Sequence, residues 1–199
     1  MKTFVFDADG VVCIGSEFGG ALEKEHGILR SSMAPFFKGP FSGCILGTFD
    51  LKDELAPYLS RWGWRGSIDE FLAFWFQSEH VMNAQILDCV RTLRKRGHTC
   101  VLGTNQEKYR AAYLRREMRL GDEFDHIFAS HELHAAKPTR QFFKSIEGRL
   151  GQTSSNLCLI DDMEENVTGA QAAGWSAIHY RDTTTIPKVM NEASLTGQS

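Results

Sequence analysis

Four groups of polar residues stand where apolar runs end. Asp7 and Asp9 close TFVFDADG, Thr104 and Asn105 follow TCVLG, Lys137 precedes Pro138 in HAAKPTRQFF, and Asp161 and Asp162 follow LCLI in LCLIDDMEEN. Carboxylates as close as Asp7 and Asp9 repel each other and need a cation or a shared proton. Gly10 beside them is free to take a turn conformation, although an Asp-x-Asp-Gly turn by itself needs no chemistry. Asp162 followed by Glu165 fits a capping box, yet acids at 161, 162, 164 and 165 exceed what a cap requires. If the two acidic pairs end neighbouring strands they meet in one crevice, and hard oxygen donors with room for water select Mg²⁺. Thr104 and Asn105 offer a hydroxyl and a fresh backbone N–H, which suit phosphate oxygens. Pro138 starts a helix, and a lysine there opposes the helix dipole unless it faces an anion or a carboxylate.

The elements that must position these groups follow from patterning. Near-continuous apolar runs at Thr3–Phe6, Thr99–Gly103, His126–Ser130, Leu157–Ile160 and Ser176–Tyr180 read as parallel strands covered on both faces. Helices are expected at Asn83–Arg96, with Asn83 as N-cap, and at Lys108–Met118, Thr139–Arg149, Glu164–Ala173 and Thr185–Asn191. The alternation implies an α/β, Rossmann-like, doubly wound parallel sheet. Residues 15–82 break the rhythm: they are rich in aromatics and show helical windows at Ser16–His26, Leu51–Trp62 and Ser67–His80. They read as a small helical insert after the first strand, dividing the chain into a core of 1–14 and 83–199 and an insert of 15–82. The polar tail Asn191–Ser199 is expected to fray.

Composition narrows the function classes. With 199 residues, 42% of them hydrophobic and 24% charged, the chain is an ordinary globular one and not a disordered one. A formal charge of −3 gives no reason to expect nucleic acid or an anionic membrane as partner. The N-terminus resembles neither a signal peptide nor a span. Five cysteines without a CxxC argue against a zinc site or a disulfide framework, and they read as core residues of a cytoplasmic protein. Neither G-x-G-x-x-G nor a Walker-type loop occurs. His131 and His134 lack a third ligand and read as structural. The insert's aromatics read as core, with one or two near Phe36–Phe49 facing the crevice.

Taken in order, DADG, Thr104-Asn105, Lys137-Pro138 and IDDMEEN resemble the four motifs of the haloacid dehalogenase-like (HAD) hydrolase superfamily over essentially the whole chain. The insert resembles that superfamily's C1-type cap, and LIDDMEENVTGAQAAGWSAIHYRDTTTIP resembles its sugar-phosphatase-like branch. The resemblance implies Asp7 as nucleophile and Asp9 as general acid and then base. It implies Mg²⁺ held by Asp7, the Asp9 carbonyl and Asp162 with Asp161 close by. Thr104, Asn105 and Lys137 would contact the phosphoryl group. The expected activity is Mg²⁺-dependent hydrolysis of a small phosphorylated metabolite, a sugar phosphate first, by a monomer or weak homodimer. VVCIGSEF departs from the continuation common in sugar-phosphate mutases, and Asp9 is unlike dehalogenases, so a phosphomutase or a dehalogenase stands second. Outside catalysis, the alternative is a Mg²⁺- or phosphate-binding module acting through protein partners.

Overall fold

The computed structural model describes residues 1–15 and 18–194. Among them, the strands β1 (Thr3–Phe6), β2 (Thr99–Thr104), β3 (His126–Ala129), β4 (Leu157–Asp161) and β5 (Ser176–His179) form one sheet, all pairs parallel, in the order β3-β2-β1-β4-β5. This is the α/β, Rossmann-like arrangement expected. Phe4, Val5 and Phe6 of β1 are all fully buried. Phe4 and Phe6 pack with Ile86, Val90 and Leu102 on one face, while Val5 packs with Phe142, Ile146 and Trp175 on the other. Cover on both faces is why these strands carry continuous rather than alternating apolarity.

The helices are α1 (Phe18–His26), α2 (Arg30–Phe37), α3 (Phe41–Ile45), α4 (Leu51–Trp62), α5 (Ile68–Ser78), α6 (Ala84–Lys95), α7 (Lys108–Arg116), α8 (Leu120–Glu123), α9 (Ser130–Leu133), α10 (Arg140–Leu150), α11 (Glu164–Ala172) and α12 (Ile186–Ser194). Asn83 caps α6 as expected, its side chain accepting from the Ile86 N–H at 3.4 Å, and its amide also donates to the Tyr180 hydroxyl at 2.9 Å. No described helix is long and apolar enough to cross a membrane.

Several expectations need correction. The region after β1 holds α2 and α3 besides the three helices expected there; Pro35 lies inside α2, and Gly39, Pro40 and Gly43 surround or interrupt α3, so both lack a clean helical signal. Asp162 and Glu165 form no capping box: Met163 occupies the N-cap of α11 with no side-chain cap bond. Pro138 does not start α10, which begins at Arg140 after Thr139. Residues 191–194 do not fray but complete α12, where Glu192 pairs with Lys2. Of the expected helix Ser16–His26, Ser16 and Glu17 lie outside the described residues, as do 195–199 of the tail.

Helices α1 to α5 share an apolar cluster of their own, with Phe18, Leu22, Phe36, Leu55, Phe71 and Trp75 buried in it. The two chain crossings into this region are paired, Ile14 N–H to the Val81 carbonyl and Asn83 N–H to the Val12 carbonyl, both 2.8 Å. Further contacts seat it on the strand ends. The Ser130 hydroxyl donates to the Ile45 carbonyl at 2.6 Å, and the Tyr109 hydroxyl to Asp50 at 3.0 Å. His134 Nδ1 lies 3.1 Å from the Leu46 carbonyl, while His131 Nδ1 stays outside the insert, 3.1 Å from the Gln106 carbonyl. A carbonyl only accepts, so both imidazoles donate from Nδ1. Each imidazole thus has a backbone partner, which is in keeping with a structural reading of the pair.

Candidate active site

In an open parallel sheet the strand order reverses direction at a point where ligands collect beyond the carboxyl ends. Here that point is β1, between β2 and β4. The backbone N–H of Asp7 still donates to the Ile160 carbonyl of β4 at 2.9 Å, which carries the side chain just past the sheet edge. Asp7 is buried, and its Oδ1 accepts from the Ala8 N–H at 2.7 Å and from Lys137 Nζ at 2.9 Å. Its Oδ2 has no protein donor among the described residues.

Lys137 is the hinge of the charge arrangement. Its side chain is completely buried, and Nζ also reaches Asp161 Oδ2 at 2.6 Å, so one ammonium bridges two carboxylates. Burial works against its charge, but Asp7 and Asp161 outweigh burial and hold its pKa above the usual lysine range. For Asp7 the balance tips the other way: burial pushes its carboxyl up to about 7, against the pull of Lys137 and with a push from Asp161. The ammonium that sequence reasoning found uncomfortable beside a helix start thus faces carboxylates.

Asp161, the last residue of β4, is fully buried and engaged on both oxygens. Oδ2 meets Lys137, while Oδ1 accepts from the Met163 N–H and the Asn166 amide, each at 2.9 Å. Asp162 is half-buried, and its carboxyl is raised, first by burial and then by Asp161. It lies against Gly10, whose φ of +79° favours glycine and where any Cβ would overlap the Asp162 carboxylate. Asp7, Asp161 and Asp162 each place one carboxylate oxygen within 4.8 Å of the others. Hard, anionic oxygens fit Mg²⁺ and suit a softer metal poorly, and since both Asp161 oxygens already accept hydrogen bonds, Asp7 and Asp162 are the carboxylates of the three that are open to the ion.

Asp9 sits at the mouth, 55% exposed at its side chain. Gln106 Nε2 donates to Asp9 Oδ2 at 2.5 Å, and Arg110 Nη2 lies 3.6 Å from Asp9 Oδ1 and 3.6 Å from Glu79 Oε2. Arg110 is buried, its Nη1 donates to the Phe76 carbonyl, and its Nε and Nη2 have no hydrogen-bond partner. Burial pushes the Glu79 carboxyl up to about 7, Asp9 adding to the effect. Thr104, buried, ends β2. The Asn105 side chain clamps the Lys137 backbone from both sides, accepting its N–H at 2.8 Å and donating to its carbonyl at 3.0 Å.

The structure therefore gathers Asp7, Lys137, Asp161 and Asp162 into one contact network. It places Asp9, Thr104 and Asn105 on its border. Gln106, Arg110 and Glu79 were missed. Gln106 was within reach as the neighbour of Thr104-Asn105, whereas Arg110 and Glu79 meet only through tertiary structure. A cavity of about 430 Å³ opens from Asp9, Asn105 and Gln106 towards α1, α2, α3 and α5. Phe37 and Phe41 line it, the two aromatics that fulfil the expectation for the Phe36–Phe49 stretch.

A family model described as hydrolase, haloacid dehalogenase-like hydrolase, matches residues 1–174. The sesquiterpene phosphatase astK of Aspergillus oryzae is 29% identical over 101 residues, 51% of this chain and 52% of that protein. The chain thus spans about half the length of the curated relative it matches. A HAD family enzyme from Bacteroides thetaiotaomicron, solved with magnesium and inorganic phosphate, superposes with a TM-score of 0.78 at 22% identity, over 91% of this chain and 94% of that one. A protein from Porphyromonas gingivalis described as a predicted HAD-like family hydrolase gives 0.81 at 19% identity, over 100% and 99%. At such identities the structural likeness concerns the fold.

Proposed function

The chain belongs to the haloacid dehalogenase-like hydrolases, and from that premise we propose that it is a Mg²⁺-dependent phosphatase hydrolysing a small phosphorylated metabolite through an aspartyl-phosphate. The observation that carries this reading is Lys137, which fixes Asp7 by one oxygen and leaves the other without a protein donor. The phosphatase named among its relatives, and a structural neighbour solved with magnesium and phosphate, support the same chemistry. We further propose the division expected from sequence, a core of 1–14 and 83–199 and a C1-type cap of 15–82. Free thiols at all five cysteines support a reducing compartment, the cytoplasm.

In this mechanism Asp7 Oδ2 attacks phosphorus in line with the ester oxygen, whose bond to phosphorus breaks as the carboxylate–phosphorus bond forms. Asp9 gives its proton to the departing alkoxide, and then takes one from the water that releases phosphate and restores the Asp7 carboxylate. Gln106 and Arg110 hold the exposed Asp9 side chain over the mouth. Lys137 stays protonated between Asp7 and Asp161 and offsets charge gathering on the phosphoryl oxygens. The Thr104 hydroxyl and the Asn105 N–H contact those oxygens, while the Asn105 side chain keeps the Lys137 loop in place. Bound Mg²⁺ would be held by Asp7, the Asp9 carbonyl and Asp162, and would neutralise phosphate charge that otherwise repels the attacking carboxylate. Asp161, engaged on both oxygens, orients Lys137 rather than ligating.

The test is phosphate release from a panel of phosphomonoesters with Mg²⁺. Asp7→Asn abolishes release while the variant melts as a folded protein. Full activity in that variant removes Asp7 as nucleophile, and isomerisation without phosphate release shows a mutase instead.

A further inference from the structure

The cavity beside Asp9 has walls that say more about the leaving group. Phe18, Met33, Phe37, Phe41, Ile45 and Trp75 form the large apolar part of its lining, with Phe18 stacked on Trp75 at 4.7 Å and Phe37 edge-on to Trp75 at 5.4 Å. Arg30, Lys38 and Arg110 add cations to the lining, and several of the remaining polar groups are engaged with protein partners. The Asn105 side chain holds the Lys137 backbone, the Gln106 amide holds Asp9, and Glu79 flanks Arg110. A sugar carries several hydroxyls that each need a partner when enclosed, and leaving them unpaired costs about 1–3 kcal/mol apiece. Beyond the first cavity the apolar surface continues: Phe37, Phe41 and Ile45 also border a second hollow of about 600 Å³ that reaches His134, Ala135 and Ala136.

From this lining we infer that the substrate is the phosphate monoester of an apolar alcohol, whose hydrocarbon part lies along Phe37, Phe41 and Trp75 and, when long, crosses Ile45 into the second hollow. The inference rests on the phosphatase reading. The phosphoryl end meets Asp7, and the apolar end replaces water in the aromatic cavity, each buried methylene gaining about 0.8 kcal/mol at most. Phe41 is half-buried on the shared wall and acts here as a specificity residue.

The experiment is kcat/KM for phosphate release, with Mg²⁺, from ethyl, butyl, hexyl and octyl phosphate, from naphthyl phosphate, and from a hexose phosphate and glycerol phosphate. The expected result is a rise of roughly 2- to 4-fold per methylene along the alkyl series, carried by KM, with octyl and naphthyl esters above both polyols. Phe41→Gln flattens that rise while a cooperative thermal melt reports intact folding of the variant, and an undiminished rise in this folded variant overturns the place of the hydrocarbon part along Phe41. A hexose or glycerol phosphate turned over best, with no rise along the alkyl series, overturns the apolar assignment and keeps the phosphatase reading. No phosphate release from any ester overturns the phosphatase reading itself.

Discussion

Lys137 concentrates the energetics of the centre in one side chain. An ammonium with no exposure, bridging Asp7 and Asp161, compensates two carboxylates that cannot otherwise stay charged where they are. Removing one partner of a buried ionic group costs about 3–5 kcal/mol, because the remaining charges are left uncompensated. Lys137→Met should therefore lower unfolding free energy in urea by about that amount, and slow phosphate release by roughly 10²–10³-fold. A variant with native stability would show that the two carboxylates need no cation. The neighbouring acids divide their roles by hydrogen bonding. Asp162→Asn should raise the Mg²⁺ concentration required for half-maximal phosphate release by about 10–100-fold. Asp161→Asn should act through Lys137 instead, lowering kcat with a smaller change in Mg²⁺ requirement. Equal Mg²⁺ shifts in both variants would make Asp161 a ligand.

At the level of elements, α7 begins immediately after Thr104-Asn105-Gln106, and its cap helps place Arg110. Glu107 accepts from the Tyr109 N–H at 2.7 Å and the Arg110 N–H at 2.5 Å. Burial nevertheless pushes its carboxyl from 4.5 up to about 7, more than these bonds pull it down. The folded chain thus keeps this proton after the unfolded chain has lost it, so Glu107's contribution to stability is whole below pH 4.5 and is lost as pH rises through about 7. Glu107→Gln should remove that part of the slope when unfolding is followed in urea across this window; an unchanged slope would place the titration elsewhere. The five strands were legible because β1 and its neighbours are covered on both faces, and the site's acids because they end those strands. α2 and α3 were not, since Pro35, Gly39, Pro40 and Gly43 are read as breakers until tertiary packing overrides them. The Asp162-Glu165 spacing misled because capping boxes and carboxylate clusters use the same residue types. Arg110 and Glu79 acquire meaning only when α5 and α7 meet across Asp9.

Over the whole molecule, two apolar clusters flank a charged seam. The sheet buries its apolar strands, the insert buries an aromatic cluster of its own, and between them lie Asp9, Arg110 and Glu79. Phe36, fully buried at the centre of the insert, packs edge-on to Phe37, the ring that lines the cavity. Phe36→Ala should cost about 3–5 kcal/mol in thermal or urea unfolding and loosen that wall; a loss below ~1 kcal/mol would mean that the insert's cluster is not a consolidated core. The small net charge of −3 also looks different at this scale, since four of the acids stand at one end of the sheet, where Asp7 and Asp161 share Lys137 and Asp9 faces Arg110. Hydrolysis through an aspartyl-phosphate requires covalent chemistry at Asp7. Protein quenched in acid during turnover of a phosphomonoester and digested for mass spectrometry should carry the phosphoryl group on the peptide containing Asp7, at that residue. Steady turnover with that peptide unmodified at every quench time, or with the group on another residue, would contradict it.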